Sequence, residues 1–274
     1  MATARRLALY ASDPSVDGAL VAWHVGGQPG VLVRDGQVQR VNGVHPAVGG
    51  NRLAVLRSDG VIEVTATSGP EFSAAIPAPG ADAIAVSAGW VAWRYRDGAA
   101  DAIAAAPLAG GAPRLVLRLQ ELGRPALEGG LLVFHAAGSR GGRIVLADLD
   151  AGTRRVVRKE RRALLLNPSV QGGRLLYVRA HYRRQELRLG GLSRRSPRRD
   201  RRVWSTTPTG FRDNGYERGR RDTRHNHRKL PPRPRRGLSA SLWTTALAPD
   251  AAYVTRLRQA SGKALVAEIL RVDR

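Results

Sequence analysis

The chain has 274 residues, of which 43% are apolar and only 5% aromatic, with 31 glycines and 16 prolines. This length allows one repeat-built domain or two ordinary domains, and the abundance of Gly and Pro favours many short elements joined by tight turns. The absence of cysteine excludes disulfides, thiolate metal sites, iron–sulfur clusters and a cysteine nucleophile.

The net charge of +23 comes almost entirely from arginine, because lysine occurs only at Lys159, Lys229 and Lys263. A GC-rich coding sequence produces such a bias, so the charge alone does not indicate a nucleic-acid partner. The N-terminus lacks the apolar core of a signal peptide, and no stretch approaches the ~18 to 20 apolar residues of a membrane span. We expect a soluble, cytoplasmic monomer, or an exported protein if the true start lies upstream.

One phrase recurs along the chain, and each copy has a small apolar residue, a tight turn and an alternating strand with a bulky last residue. Four copies begin with proline, and the sixth is the weakest. The copies lie at 14–23, 46–55, 84–93, 125–134, 168–177 and 246–254. Their last residues are 32, 38, 41, 43 and 77 residues apart. Without an insertion in the last interval, this spacing is the ~40 residues of a four-stranded propeller blade.

Further strand and turn signals follow the phrase within each unit. In the first unit VAWHV leads to GVLVR, then to the Asp35-Gly36 turn and QVQRV, which predicts a three-stranded meander. No helical period of 12 residues is present. We predict an all-β fold, a six-bladed β-propeller that forms a single domain over residues 1–274, with RRLALYAS near the N-terminus as the missing strand of the last blade. A β-sandwich is the alternative.

The phrases PSVDGALVAW and NPSVQGGRLLYVRA resemble those of the TolB-like six-bladed β-propellers. The resemblance covers about 230 of the 274 residues. It implies a ring of blades around a central channel, and a family habit of binding proteins or peptides on one face. The N-terminal domain that TolB itself carries has no counterpart in this sequence, and a fold does not determine a function.

A basic segment at 193–237 interrupts the last interval, with 16 basic and 4 acidic residues. Such a composition predicts a disordered insertion in the fifth or sixth blade. Its arginines and aromatic residues could grip a polyanion, that is, nucleic acid or an anionic surface, or a protein partner. A solvated loop without a function is the alternative. The candidate contact residues are Arg198, Arg199, Arg201, Arg202, Trp204, Phe211, Tyr216, Arg220, Arg221, Arg228, Arg235 and Arg236.

The shorter basic run at 154–162 is predicted to lie on a blade edge, where its arginines discourage edge pairing. The nearest match to a nucleophile elbow surrounds Ser87, which is in register with the repeat and is therefore predicted to be a turn residue. The His225–His227 pair is surrounded by basic residues that repel a cation, so no metal site is predicted there.

His24 and His135 occupy similar places at the ends of repeat strands, where we expect satisfied strand-end histidines; side chains that face the central channel are the alternative. Asp13 with Asp17, and Asp148 with Asp150, are interpreted as turn and strand-end residues. We identify no inward-pointing set of acidic residues of the kind that metal-dependent lactonase propellers use, and no phosphate loop.

The sequence marks no active site, metal site or cofactor. We therefore interpret the chain as a non-catalytic binding or scaffold propeller that engages an unidentified protein or peptide through its loop surfaces. A propeller hydrolase, either a lactonase or a glycan-active enzyme, is the alternative from another class. Two or more buried, inward-facing carboxyl groups with raised pKa in one channel mouth would favour it.

Overall fold

The computed structural model describes residues 4–26, 28–68, 71–138, 141–161, 163–181, 184–193, 199–206, 241–259 and 265–273. Every regular element longer than one turn in these ranges is a β-strand, and the strands form six antiparallel sheets. Consecutive sheets contact each other, and the last contacts the first. The described residues therefore form a six-bladed β-propeller, as the repeat predicts. Within the same ranges there is no helix that could span a membrane.

Each blade has its strands in chain order from the channel outwards. Blade 1 contains β2 (Ala11–Asp17), β3 (Leu20–Val25), β4 (Gln28–Arg34) and β5 (Gln37–Arg40). Blade 2 contains β6 (Val44–Gly49), β7 (Arg52–Leu56), β8 (Val61–Ala66) and β9 (Ser73–Pro77). Blade 3 contains β10 (Ala81–Val86), β11 (Trp90–Asp97), β12 (Ala100–Pro107) and β13 (Arg114–Leu119).

Blades 4 and 5 follow the same order, and in blade 6 the N-terminal strand takes the outermost place. Blade 4 has a divided inner strand and contains β14 (Glu121–Leu122), β15 (Ala126–Glu128), β16 (Leu131–Gly138), β17 (Gly141–Asp148) and β18 (Thr153–Glu160). Blade 5 contains β19 (Leu164–Gln171), β20 (Arg174–His181), β21 (Arg184–Gly191) and β22 (Arg201–Thr206). Blade 6 contains β23 (Ser241–Leu247), β24 (Ala251–Gln259), β25 (Leu265–Asp273) and β1 (Ala4–Leu9).

The N-terminal strand closes the ring, as predicted. Strand β1 pairs antiparallel with β25, with Ala4 opposite Val272, and it forms the outer edge of blade 6. Both ends of the chain therefore contribute to one sheet. This pairing joins the first and last parts of the ring through backbone hydrogen bonds.

Each copy of the repeated phrase spans the end of an inner strand, a tight turn and the second strand of the same blade. The bulky last residues of the phrase are buried between blades, and all six are less than 10% exposed. They are Trp23, Val55, Trp93, Phe134, Tyr177 and Val254. Alternation along the second strands therefore directs these side chains into the core, which explains why the phrase repeats.

The structure corrects the predicted boundary of the basic insertion. Residues 201–206 form β22, the outer strand of blade 5, in which Leu187 of β21 lies opposite Trp204. Asp200, just before this strand, is buried. The fold therefore uses part of the segment that its composition assigned to an insertion, and residues 207–240 lie outside the described ranges.

The structure bears out only part of the interpretation of the basic run at 154–162. It lies on β18, the outer strand of blade 4, as expected, but the Arg158 side chain is fully buried. Its Nε donates to Asp200 Oδ2 at 2.6 Å and its Nη2 to Asp200 Oδ1 at 3.0 Å. The Tyr177 hydroxyl donates to the same carboxylate at 2.8 Å. This buried ion pair joins blades 4 and 5.

Removing the Asp200 charge should destabilise the fold strongly. In Asp200→Asn the Arg158 guanidinium keeps its buried position without a counter-ion, and breaking such a pair costs about 3 kcal/mol or more. Urea unfolding should show this loss relative to the unmodified chain. The matched control is Asp59→Asn, which breaks the exposed Arg57–Asp59 pair and should cost less than about 1 kcal/mol. Equal losses in the two variants would contradict a buried, charge-dependent pair.

Candidate functional site

The inner strand of every blade is interrupted by a β-bulge at the same level of the channel. In blades 1, 2, 5 and 6 two residues of the inner strand lie opposite one residue of the second strand, blade 3 has one extra residue, and blade 4 has the break between β14 and β15. Bulges turn side chains away from the regular alternation and occur often next to functional sites. One residue from each interruption forms what we call the channel ring, namely the first bulge residue in blades 1, 2, 3, 5 and 6 and the middle residue of the break in blade 4. The members are Asp13, His45, Asp82, Arg124, Asn167 and Trp243.

Three members of the channel ring have left-handed backbone conformations, with φ of 60° at Asp13, 51° at His45 and 38° at Asn167. Each precedes a proline, which ordinarily favours an extended conformation in the residue before it. Asp, Asn and His are all enriched among the non-Gly residues that adopt positive φ. Strain of this kind persists where the surrounding structure fixes it, and it is common at binding sites.

Asp13 and Arg124 form an ion pair across the channel, with 2.8 Å between Oδ1 and Nη1. They belong to blades 1 and 4, which are opposite each other in a ring of six. Burial alone would raise the pKa of Asp13, but Arg124, His45 and His24 together hold it below its ordinary value. The pair therefore remains charged at neutral pH and crosses the channel at the level of the ring.

Hydrogen bonds between neighbouring blades hold the ring residues in place. Asn167 Oδ1 accepts from the Arg124 backbone N–H at 3.2 Å, and the Asp13 N–H donates to Thr255 Oγ1 at 3.0 Å. His135 Nδ1 accepts from the Asn167 N–H at 2.9 Å. The inner strands of all six blades line a narrow channel, with a cavity of about 70 Å³, on one side of the ring.

A second cavity of about 190 Å³ lies at the ring, where the inner strands begin. We call it the mouth cavity. Five channel-ring residues line it, all except His45, together with side chains from blades 3, 4 and 5. These additional residues are Arg94, Asp101, Glu121, Leu122, His135 and Leu166.

Most charges in the mouth cavity are already paired. Arg94 donates to both Asp82 oxygens at 2.8 Å, and Asp101 accepts from Arg96 at 2.7 Å and from the Leu122 N–H at 2.9 Å. Glu121 has neither an ion pair nor a side-chain hydrogen bond to the described residues. Burial, and then the Asp101 carboxylate, raise its pKa. The cavity therefore offers one carboxyl group that is available to a ligand.

The histidines near the ring are neutral. Burial, followed by the Arg94 charge, lowers the pKa of His135 to about 4. Burial, His24 and Arg124 lower the pKa of His45 to about 4, and its ring stacks on His24 with 4.2 Å between centroids. His135 is thus both a satisfied strand-end histidine, as expected, and a residue that lines the mouth cavity.

The structure also places the other residues that the sequence singled out. Ser87 lies in the turn between β10 and β11, where its hydroxyl bonds to Gly129 O at 2.7 Å, as predicted. Asp148 accepts from two turn N–H groups, as predicted. The interpretation of Asp13 as a turn residue is wrong, because it lies in the channel ring. The sequence did not reveal that Asp13, Asp82, Asp101 and Glu121 line one mouth of the channel.

The acidic set does not form a metal centre in the described part of the chain, where no three Asp, Glu or His side chains are grouped to hold an ion. The ion pairs with Arg94 and Arg124 explain this, because each guanidinium occupies the position that a cation would take. His225 and His227 lie outside the described ranges.

The candidate contact residues of the basic segment are only partly described. Arg199, Arg201 and Arg202 are exposed at or near the start of β22, and Trp204 is half-buried and packs against the core between blades 5 and 6. Trp204 is therefore not fully available for stacking. The others lie outside the described ranges: Arg198, Phe211, Tyr216, Arg220, Arg221, Arg228, Arg235 and Arg236.

Comparison with solved structures agrees with the predicted fold. A putative TolB from Agrobacterium tumefaciens is similar over 93% of this chain and 80% of its own, with 11% identity and a TM-score of 0.49. This chain is a six-bladed β-propeller. A nidogen/laminin complex gives a TM-score of 0.52, with 11% identity over 91% of this chain and 87% of that one.

An acylaminoacyl peptidase in complex with a chloromethyl ketone gives a TM-score of 0.51, with 9% identity over 97% of this chain and 51% of the peptidase. The likeness thus covers about half of the enzyme. No protein-family model and no curated protein sequence matches this chain. At these identities the comparisons show the fold alone.

Protonation of His135 should weaken the fold. Its pKa is about 4 when folded and 6.5 as a free side chain, so the unfolded chain binds the proton more tightly. The stabilisation is complete above pH 6.5 and is lost as the pH falls towards 4, by about 3 kcal/mol over that window. His135→Gln should reduce the slope of unfolding free energy between pH 6.5 and pH 4, measured by urea unfolding at several pH values.

The control for this variant is its own behaviour above pH 7, where the difference from the unmodified chain should not change with pH. His24 and His45 remain in both proteins, and they contribute in the same direction. Parallel curves down to pH 4 would show that His135 is not held neutral by the fold.

Proposed function

We propose that this chain is a non-catalytic binding protein that holds part of a macromolecular partner in the mouth cavity. The observation that carries the proposal is that an ion pair closes the inner end of the mouth cavity while a carboxyl group in the cavity lining has no partner in the described part of the chain. The Asp13–Arg124 ion pair crosses the channel, while Glu121 above it has no partner among the described residues.

The size of the mouth cavity supports binding of one small group. Its volume of about 190 Å³ is below the ~300 to 1,000 Å³ of pockets that enclose whole small molecules. Such a cavity fits a side chain or a chain end that projects from a larger partner. Trp243, which is 38% exposed, provides apolar surface beside the charged groups. An exposed tryptophan beside polar groups is typical of protein interfaces.

The electrostatics of the mouth favour binding over hydrolysis. A hydrolase of the lactonase or glycosidase kind would be favoured by two inward-facing carboxyl groups with raised pKa. Glu121 has a raised pKa, whereas the pKa of Asp13 is lowered, and Asp82 and Asp101 are each paired with arginine. A single available carboxyl group therefore supports binding of a ligand and not its hydrolysis.

Both attachment points of the basic segment lie on this face. Strands alternate in direction within a blade, so β22 ends and β23 begins on the face that carries the mouth cavity. The basic segment therefore leaves and re-enters the propeller there. Its arginines are suited to an acidic partner, and also to a polyanion, which is the competing hypothesis.

Capture of a partner should depend on Trp243. Purified full chain, Trp243→Ala and Leu115→Ala would each be used to capture proteins from a native lysate after nuclease treatment. Leu115 is exposed on the outer strand of blade 3, so it is a matched apolar control away from the mouth. Removing a tryptophan anchor should reduce recovery of a specific protein about 30-fold, and the control should not. Equal recovery with all three proteins would contradict the proposal.

The role of the basic segment needs a deletion that respects the blades. Deleting 193–237 would remove β22 and Asp200, so residues 207–240 alone should be replaced by a Gly/Ser linker of about ten residues. The proposal predicts that this variant still captures the Trp243-dependent protein. Recovery that nuclease, high salt or this replacement abolishes would support polyanion binding instead.

A further inference from the structure

The Glu121 carboxyl group is the first element of a more specific site. It lies on the short edge strand β14, in the mouth cavity, and has no hydrogen bond or ion pair with the described residues. The neighbouring Asp101 is already engaged with Arg96 and the Leu122 N–H. Burial and Asp101 raise the pKa of Glu121, an unfavourable arrangement that a bound cation would relieve. This position therefore favours a cationic group.

His135 is the second, independent element. Its side chain belongs to a residue that is only 6% exposed, and its ring lines the mouth cavity. Because Nδ1 accepts the Asn167 N–H, the proton of the neutral ring is on Nε2. No described residue accepts a hydrogen bond from Nε2. Nε2 is not one of the fully buried side-chain atoms that lack a partner, so it is open to the cavity, where a ligand atom or water can accept from it.

Gly123 fixes the position of this ring. A Cβ atom at Gly123 would lie 1.8 Å from His135 Nδ1 and 2.0 Å from Cε1, so no other residue fits there. The Gly123 N–H donates to the His135 carbonyl at 2.8 Å. The ring is therefore held against the backbone between Glu121 and Arg124. Its Nε2 donor and the Glu121 carboxyl group both serve the same small cavity.

A ligand for this cavity must combine a cation with a nearby acceptor. A lysine or arginine side chain supplies the cation without an acceptor. A free amino terminus supplies both, because the α-ammonium is followed by the first peptide carbonyl. Trp243, which is exposed, offers an apolar surface to the first side chain. We propose that the mouth cavity binds the free amino terminus of a partner polypeptide, with its ammonium on Glu121 and its first carbonyl on His135.

This inference rests on the proposed function, since the amino terminus is the part of the partner that enters the cavity. It predicts that acetylation of the partner's first residue prevents binding. It also predicts discrimination between an amino terminus and a lysine side chain, which differ in the adjacent carbonyl.

NMR titration of the full chain tests the site with defined probes. The probes are Ala-Leu-Ala amide with a free amino terminus, its N-acetylated form, and acetyl-Ala-Lys-Ala amide. The indole N–H signal of Trp243, assigned through Trp243→Phe, reports occupancy. The free peptide should shift this signal, and the two acetylated peptides should bind at least about tenfold more weakly, as expected when a charged hydrogen bond is lost.

Glu121→Gln should weaken the free peptide about tenfold or more, with the thermal unfolding midpoint measured to confirm folding. The matched control is Glu71→Gln, an exposed glutamate in the connection between β8 and β9 on the opposite face. Equal binding of the acetylated or lysine peptides, or no effect of Glu121→Gln, would overturn the inference.

No shift of the Trp243 signal by any probe would also overturn the amino-terminus inference. The proposed function is tested separately by the dependence of partner capture on Trp243. If capture depends on Trp243 but is unaffected by acetylation of the partner, the binding function stands and the amino-terminus site is wrong.

Discussion

The Asp13–Arg124 ion pair is the interaction on which the arrangement of the candidate site depends. Six inner strands converge on the channel, and each contributes one side chain at the level of their bulges. Two of these side chains, from opposite blades, meet at 2.8 Å while only 16% and 14% of their side-chain surfaces remain exposed. Losing either charge would leave the other poorly solvated. The pair thus divides a narrow channel from an open mouth and sets the floor of the cavity above it.

The same residues that build the mouth also hold the blades together. On the second strands of blades 1, 4 and 6, His24, His135 and Thr255 each accept a hydrogen bond from the first bulge residue of the following blade. A bulge leaves backbone N–H groups without partners in their own sheet, and these side chains satisfy them. For the histidines this requires a neutral ring, which agrees with the lowered pKa values. The contacts between the blades and the candidate site therefore both require the neutral form of these histidines.

The sequence predicted the blades because their signals are local. A tight turn, an alternating strand and a bulky core residue recur together, so the copies align by chemistry that every blade needs. The channel ring was missed because its residue precedes the proline that opens the phrase and differs in each blade, as Asp13, His45 and Arg124 show. A position that varies in this way has no repeat signal. Its only sequence indication is a polar residue before the proline in four of the six copies.

Tertiary contacts explain the other differences. Arg158 and Asp200 are 42 residues apart, and composition placed one on an exposed edge and the other in an insertion. Only the packing of blade 4 against blade 5 brings them together. Likewise, the sequence did not single out Glu121 and indicated only a strand-end histidine at His135, because their importance comes from what surrounds them: paired carboxylates, a closed channel and the Gly123 backbone beneath the imidazole ring.

A double-mutant cycle on Asp13 and Arg124 tests the central claim most directly. The free energies of unfolding of the unmodified chain, Asp13→Asn, Arg124→Gln and the double variant would be measured by urea unfolding at pH 7. A buried pair across the channel predicts a coupling free energy of about 1.5 kcal/mol or more. A coupling of about 0.3 kcal/mol or less, as for solvent-exposed pairs, would show that the two side chains do not close the channel together.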